Sequence, residues 1–343
     1  MAATTRSTIV AVARRANVSP STVSRVMNGH TTVDPAIAER VRAAAQELNY
    51  SPSPLARSLV LGRTQTVAIL VPDLANPTFQ GMLRGLSRAA ARSNYRVLVA
   101  DSLETVSEES LLAGELRRSS DAIVLCAPRM PADRLLEVMP SLAPAVVINR
   151  DDPRLAAPTL SADYEAGIRP LAEHLYDLGH RRLAYLEGNP HSSSNTSRLR
   201  GLDAFCADHP DVSLDRLPGG VAFEHGYAAA DAVLASSATG VLAFNDLVAM
   251  GLLAAMHERG VAVPQDLSIT GFDDITFARY TTPALTTASV PDVELGEQAW
   301  VRLHALLVGD APADDVRVLP RLEVRGSTGP APTRASGAAA SSD

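Results

Sequence analysis

The chain has no lysine, so arginine supplies every fixed positive side chain. It has only two cysteines, Cys126 and Cys206, far apart and in no metal or redox spacing. That excludes a disulfide scaffold and suits a reducing cytoplasm, with both thiols expected in the core. No apolar run reaches the length that spans a bilayer. The first residues, M-A-A-T-T-R-S-T-I-V, lack a basic segment followed by a long apolar one, so no secretion signal is evident. A glycosylation pattern at Asn195-Thr196-Ser197 is therefore given no weight. His174, His180, His191 and His225 have no metal-ligand spacing, and neither metal nor cofactor is expected. There is no Gly-rich phosphate fingerprint, no P-loop and no nucleophile elbow, which removes the common signatures of an α/β enzyme. Aromatics are scarce, at 4%. With 46% hydrophobic residues over 343, this remains an ordinary globular composition, long enough for two or three domains.

What is present is unevenly distributed. The formal net charge is −7, yet residues 1–63 hold eight Arg against three acids, a net +5. The remainder carries −12. A basic segment ahead of an acidic body suggests a polyanion-binding headpiece with a different task behind it.

The headpiece reads as short capped helices. Thr8 caps a helix with Ile9, Val12, Ala13 and Ala16 on one face, and Asn17 makes the turn. Ser19 caps the next helix and Pro20 fits its first position. Asn28-Gly29 is its stop. Val23, Val26 and Met27 share its dry side, leaving Ser21, Ser24, Arg25 and Asn28 for a polar front suited to the DNA major groove. Asp34-Pro35 opens a third helix with Ile37, Val41, Ala44 and Leu48 on its stripe. Periodicity alone favours a plain helical bundle; the basic charge, the Ser/Arg front and the segment that follows shift the balance to the DNA reading. Ser53 and Pro54 open a further helix, 54–60, too short to stand alone in water. Its Leu59 suits a minor-groove wedge formed on docking, and the competing reading is an apolar linker.

From Thr66 the pattern becomes apolar strands alternating with helices. Strands are expected at 67–71, 96–100, 122–126, 145–149, 183–187, 240–244 and 268–272, and helices near 78–93, 107–118, 132–139, 165–178, 196–207, 225–236 and 247–259. That is two parallel α/β sets, hence two lobes with a cleft beyond their strand ends. Polar residues gather at those ends: Asp73, Asn76, Asn149, Arg150, Ser194, Arg198, Asn245 and Asp273, with Asp246 and Asp274 alongside. Carboxylates take adjacent hydroxyls and Arg forks clamp polar groups, so the set recruits a small polyhydroxylated or anionic ligand. Any one of these residues alone reads more readily as a helix cap; the case rests on the strand ends doing it together.

Three stretches carry a family resemblance: T-I-V-A-V-A-R-R-A-N-V-S-P-S-T-V-S-R-V-M-N-G, then V-R-A-A-A-Q-E-L-N-Y-S-P, then L-A-R-S-L. They resemble the headpiece of the LacI family of bacterial transcription regulators. The body is similar to that family's effector domain, through V-P-D-L-A-N-P, F-N-D-L-V-A-M-G and V-P-Q-D-L-S-I-T-G-F-D-D among others. The resemblance implies a multidomain chain. An all-α helix-turn-helix headpiece (1–50) is followed by a hinge helix and linker (51–63). Next comes an α/β effector-binding and dimerisation domain (64–326) of two Rossmann-like lobes, the periplasmic-binding-protein type I fold, with crossovers near 162, 290 and 321. A tail, 327–343, reads as disordered from its low complexity.

The resemblance implies base and backbone contacts from Ser19, Pro20, Ser21, Thr22, Ser24, Arg25 and Asn28, and hinge contacts from Ala56, Arg57 and Leu59. It also implies an effector cleft containing Asp73, Asn76, Phe79, Arg150, Ser194, Arg198, Asn245 and Asp273. The expected partners are a palindromic double-stranded operator, a small effector with a sugar favoured, and a second copy of the chain. Two positions depart from the pocket pattern: Thr78 stands where a second aromatic is common, and Tyr164 where an Asn is usual. Pro20 offers no donor, so direct readout falls mainly on Ser21 and Arg25. The competing function is a solute-binding protein of a transport system, against which the headpiece argues.

Overall fold

In the computed structural model, residues 8–27, 32–50, 62–150 and 152–332 are described. Asn28 and the expected hinge helix with Ala56, Arg57 and Leu59 lie outside them. The chain divides into two compact units, Met1–Thr64 and Gln65–Asp343.

The first unit holds α1 (Ile9–Ala16), α2 (Pro20–Met27) and α3 (Pro35–Glu47). Each start is written in side chains. The Thr8 hydroxyl accepts from Ala11 N at 3.3 Å, Ser19 Oγ from Thr22 N at 3.2 Å, and Asp34 Oδ1 from Ala36 N at 2.9 Å and Ile37 N at 3.2 Å. Such caps contribute about 1 kcal/mol each. Asn17 ends α1 at φ 54°, a left-handed conformation that Asn tolerates better than most residues. Val12, Ala13, Ala16, Val23, Val26, Ala38, Val41, Ala44 and Ala45 close the core.

The second unit is two α/β lobes. Lobe 1 has a six-stranded parallel sheet ordered β11-β5-β4-β3-β1-β2. Its strands are β1 (Thr66–Val71), β2 (Arg96–Asp101), β3 (Ala122–Cys126), β4 (Ala145–Ile148), β5 (Thr159–Ala162) and β11 (Val316–Val318). Alternation decides the faces. Val67, Ile69 and Val71 pack toward α4 (Pro77–Arg92) and α12 (Asp292–Val308), while Ala68 and Leu70 pack toward α5 (Val106–Arg118) and α6 (Ala132–Leu142). Lobe 2 has β7 (Ser213–Pro218), β6 (Arg182–Glu187), β8 (Gly240–Ala243) and β9 (Ser268–Thr270), in that order and parallel. One face carries α7 (Tyr164–Asp177) and α8 (Ser193–Asp208); the other carries α9 (Phe223–Ala228), α10 (Ala230–Ala235) and α11 (Asp246–Glu258). A short antiparallel pair, β10 (Thr287–Ser289) and β12 (Arg321–Glu323), completes it. The chain passes between lobes three times: from β5 into α7, from β10 into α12, and from β11 into β12. Among the described residues no helix is long and apolar enough to cross a membrane.

Neighbouring helices meet through glycine. A methyl at Gly85 would collide with the Val293 carbonyl, and one at Gly296 with the Met82 carbonyl, so α4 and α12 touch backbone to backbone. Gly226 and Gly251 do the same between α9 and α11. Gly251→Ala is therefore expected to destabilise the body by about 1–3 kcal/mol, as overpacking does. Urea unfolding of the variant checks this, and an unchanged midpoint would show that the helices separate freely.

Several expectations need correction. Residues 327–332 are not a disordered tail. Ser327 is fully buried, its hydroxyl donating to Ile269 O at 2.6 Å and accepting from Thr286 N at 2.8 Å. Gly329 O faces His180 Nε2 at 3.0 Å, and Ala331 N donates to Leu178 O at 2.8 Å. Composition hid this because the segment is fastened by backbone and hydroxyl groups, not by apolar side chains. The helix α12 and the strands β5, β7, β10, β11 and β12 are absent from the expected elements. The single expected helix at 225–236 is two, α9 and α10.

Candidate functional site: a nucleic-acid-facing helix and an interlobe cleft

On α2, Val23 and Val26 are buried while Ser19, Pro20, Ser21 and Arg25 are exposed and Thr22 and Ser24 are half-buried. The 3.6-residue period produces this division from V-S-P-S-T-V-S-R-V-M. Ser19 Oγ also lies 2.7 Å from Ser21 Oγ and 2.9 Å from Thr22 Oγ1, which orders the hydroxyls at the start of the helix. The exposed front thus presents hydroxyls at one end and a guanidinium at the other, groups that hydrogen-bond phosphates and base edges.

The cleft between the lobes centres on Arg198, in the second turn of α8. It is only 1% exposed. Its Cζ lies 3.9 Å from the Phe272 ring centroid, 4.4 Å from Tyr164 and 4.6 Å from Phe244. Asp273 is its nearest carboxylate, at 3.7 Å, too long for a good hydrogen bond. Nε and Nη1 are buried without any hydrogen-bond partner. A guanidinium held this way is costly unless something else accepts from it.

Six of the eight expected cleft residues surround this point: Asp73, Asn76, Phe79, Ser194, Arg198 and Asp273 line one small cavity of about 30 Å³. That is room for about two waters. Arg150 lies apart from them, in a neighbouring 460 Å³ cavity that shares Arg129, Tyr164 and Ser194 with the first. Asn245 lines neither. Its Oδ1 accepts from Val248 N and its Nδ2 donates to Val221 O, both at 2.9 Å, so both ends of the amide are spent on capping α11 and holding a loop. Asn76 is also a cap, accepting from Thr78 N at 3.0 Å, and Asp73 Oδ1 accepts from Ala75 N at 2.7 Å.

Burial sets the electrostatics. Asp273, at φ 108°, has its carboxyl pushed up to about 7 by desolvation, with the Arg198 charge pulling the other way. Desolvation also raises Asp73 and Glu109 and lowers Arg150. Because Asp273 binds its proton more tightly folded than unfolded, its contribution to stability is present below about pH 4 and is lost as pH rises to about 7. Asp273→Asn removes that dependence. Its melting temperature relative to the parent is expected to climb between pH 4 and 7, and a constant difference would contradict the shift.

Asn149, named by the strand-end pattern, lines the cavity, while Glu104, Arg129, Tyr164 and Phe244 line it without having been expected there. Arg129 lies three residues past β3, one further than Asp73 lies past β1, so the strand-end rule reaches it. Tyr164 appears in the sequence only as a departure from a pattern. In the structure it fills that place with a ring against Arg198 and Phe272. Thr78 is buried beside Asp273.

Comparison with known proteins agrees with this geometry. Residues 8–53 match the model of the bacterial regulatory proteins of the lacI family, and residues 172–328 a periplasmic binding protein-like domain. The chain is similar to the HTH-type transcriptional repressor CytR of Escherichia coli K12, 31% identical over 331 residues, covering 94% of this chain and 97% of CytR. It is also similar to the lac repressor dimer solved with operator and the anti-inducer ONPF: TM-score 0.84, 26% identity, 94% of this chain and 99% of that one. A third likeness is to a regulator from Enterococcus faecium solved with bound ribose: TM-score 0.69, 27% identity, 77% of this chain and 99% of that one. With a headpiece, a two-lobed body and a full-length relative all in agreement, this chain is a DNA-binding transcriptional regulator belonging to the LacI family.

Proposed function

We propose that the protein is a repressor, not an enzyme or a transport solute binder, and that two copies grip a palindromic operator while a small effector in the cleft controls the grip. The observation that carries the ligand half is Arg198, whose two unspent buried donors face a cleft also lined by Asp73 and Asp273. Donors and carboxylates with a nearby aromatic, Phe79, suit a neutral polyhydroxylated compound, and a sugar is the favoured class. The lining Arg129 already pairs with Glu104, which argues against a strongly anionic ligand. At about 30 Å³ the inner cavity is far below the roughly 300–1,000 Å³ of small-molecule pockets. Lobe opening, or occupation of the contiguous 460 Å³ cavity beside Arg150, is then part of binding.

The DNA half rests on the front of α2. Arg25→Ala is expected to weaken operator binding by about 5- to 150-fold, the cost of one bidentate base contact. Fluorescence anisotropy on the regulator's own promoter measures it. An unchanged affinity would remove Arg25 from the interface. Isothermal calorimetry with a panel of pentoses, hexoses and nucleosides tests the cleft, and failure of every hydroxylated compound to bind would overturn the sugar reading.

For the dimer, α9 and α11 of lobe 2 present an apolar groove of about 730 Å³ lined by Phe223, Tyr227, Met250, Leu253, Ala254 and His257. Phe223 and Tyr227 are 42% and 40% exposed, and Phe277 and Tyr280 nearby in sequence to its Thr281-Thr282 rim are 54% and 74%. Exposed aromatics at this density mark a protein interface. A second copy is the occupant we assign, because a palindromic site calls for two headpieces related by a twofold axis.

A further inference from the structure

Arg129 and Glu104 form the tightest ion pair at the cleft. Arg129 Nε donates to Glu104 Oε2 at 2.7 Å and Nη2 to Oε1 at 2.8 Å, with Arg129 only 4% exposed. Both residues belong to lobe 1, at the ends of β2 and β3. Their position is closely held. Glu109, itself buried, accepts from Arg129 N at 2.9 Å and Met130 N at 2.5 Å. Arg129 Nη1 donates to Ala127 O at 3.2 Å. Glu104 N donates to Pro72 O at 2.7 Å, and Leu103 and Glu104 are both left-handed, at φ 52° and 56°. Two consecutive non-glycine residues in that region carry strain, which the surrounding bonds must offset.

The strained turn delivers the Glu104 carboxylate to the other lobe. Oε2 takes a second donor, Asn189 Nδ2, at 2.7 Å. Asn189 follows β6 of lobe 2, and its own Oδ1 accepts from His191 N at 2.9 Å, which fixes the amide with its donors toward Glu104. A second bond between lobes runs from Ser193 Oγ to Asn149 O at 2.9 Å.

We propose that Glu104, preset by Arg129, and Asn189 form an interlobe latch that holds the cleft shut and gates entry to the Arg198 pocket. The assignment rests on the cleft being the effector site, but the latch itself is a mechanical claim about the two lobes. The Arg129 fork orients Glu104 through two hydrogen bonds, so the bond across the gap is charge-assisted. A ligand that enters must break this bond or bridge it. Glu104 and Asn189 are then positioning residues for closure, and they exclude ligands too large to allow the bond to re-form.

Hydrogen exchange of the full-length protein, read by mass spectrometry, tests the latch without any ligand. Asn189→Asp sets a carboxylate against Glu104. Exchange is expected to rise at least about tenfold in the facing segments 102–105 and 188–192, while β3 and β8 stay protected. The double variant Glu104→Gln with Asn189→Asp reverses the bond, Gln donating to Asp, and is expected to return exchange to near the parent level. Asn189→Ala keeps the Arg129–Glu104 pair and so guards against simple misfolding; it too should open the cleft. Unchanged exchange in Asn189→Asp and Asn189→Ala, or a double variant as open as the single one, overturns the latch. Operator binding of the parent protein, measured separately by anisotropy, decides whether the regulator reading stands, so the two claims fail independently.

Discussion

Arg198→Met is expected to abolish effector binding, raise the melting temperature and leave operator affinity intact. Two charge-assisted hydrogen bonds to ligand are lost, each about 1.5–3 kcal/mol, so binding of whichever hydroxylated probe the parent accepts should fall by 100-fold or more. Stability moves the other way because the guanidinium is poorly compensated. It has three aromatic faces, which contribute roughly 2 kcal/mol or more when desolvated. Against that stand two unpartnered donors and an ion pair stretched to 3.7 Å. Replacing a buried ion of this kind by a packed apolar chain of similar length is often neutral or stabilising by about 1–4 kcal/mol. The abandoned Asp273 carboxyl, pushed up to about 7 even with Arg198 present, is neutral at about pH 6, where the comparison should be made. Calorimetry then shows a transition raised by a few degrees. A transition lowered by several degrees would mean that Arg198 is a structural residue and that its free donors are not held for a ligand.

This trade is the physical content of the cleft, and little of it is visible in the sequence. Arg198, Asp273 and Asp73 are legible as polar residues at strand and helix ends. The aromatic cage is not, because Tyr164, Phe244 and Phe272 are separated by 108 positions at most and converge only when α7, β8 and β9 are assembled. Asn245 shows the opposite: its Oδ1 is a local helix cap, one of the two readings its sequence allows, while its Nδ2 is bonded to Val221 O, 24 positions away.

The fold is more legible than the site. Ser19-Pro20 and Asp34-Pro35 mark helix starts that the structure reproduces, since capping is a local event. Long apolar strands such as Ala122–Cys126 announce themselves. The missed strands β5, β10, β11 and β12 are three or four residues long, and β7, S-L-D-R-L-P, interrupts its two leucines with an Asp-Arg pair along a sheet edge, so none offers a continuous apolar run. For α12 the signal was present in Leu295, Ala299, Leu303 and Leu306, spaced by three and four, with Gly296 admitting α4 closely.

Phe223→Glu is expected to split the dimer and cost operator affinity about 10²- to 10⁴-fold. Joined headpieces bind the second half-site at a high effective concentration, an advantage of that size that vanishes when each copy binds alone. Phe223 suits the test because its side chain is exposed at the apolar groove, while its backbone carbonyl, packed against Gly251, is unaffected by substitution. Analytical ultracentrifugation should show a monomer with unchanged helix content. Effector binding to the cleft, which lies within one chain, should persist. A variant that stays dimeric at micromolar concentration would move the interface off α9 and α11.

Both results bear on one claim: α2 of the first unit reads DNA in symmetric pairs under control of a cleft in the second unit. The most direct measurement is sequencing of the fragments that the full-length protein retains from a random DNA pool. An enriched inverted repeat with fixed half-site spacing is expected, with degeneracy within each half-site when Arg25 is replaced by Ala. Recovery of DNA without a symmetric motif, or of none beyond salt-sensitive background, would contradict it.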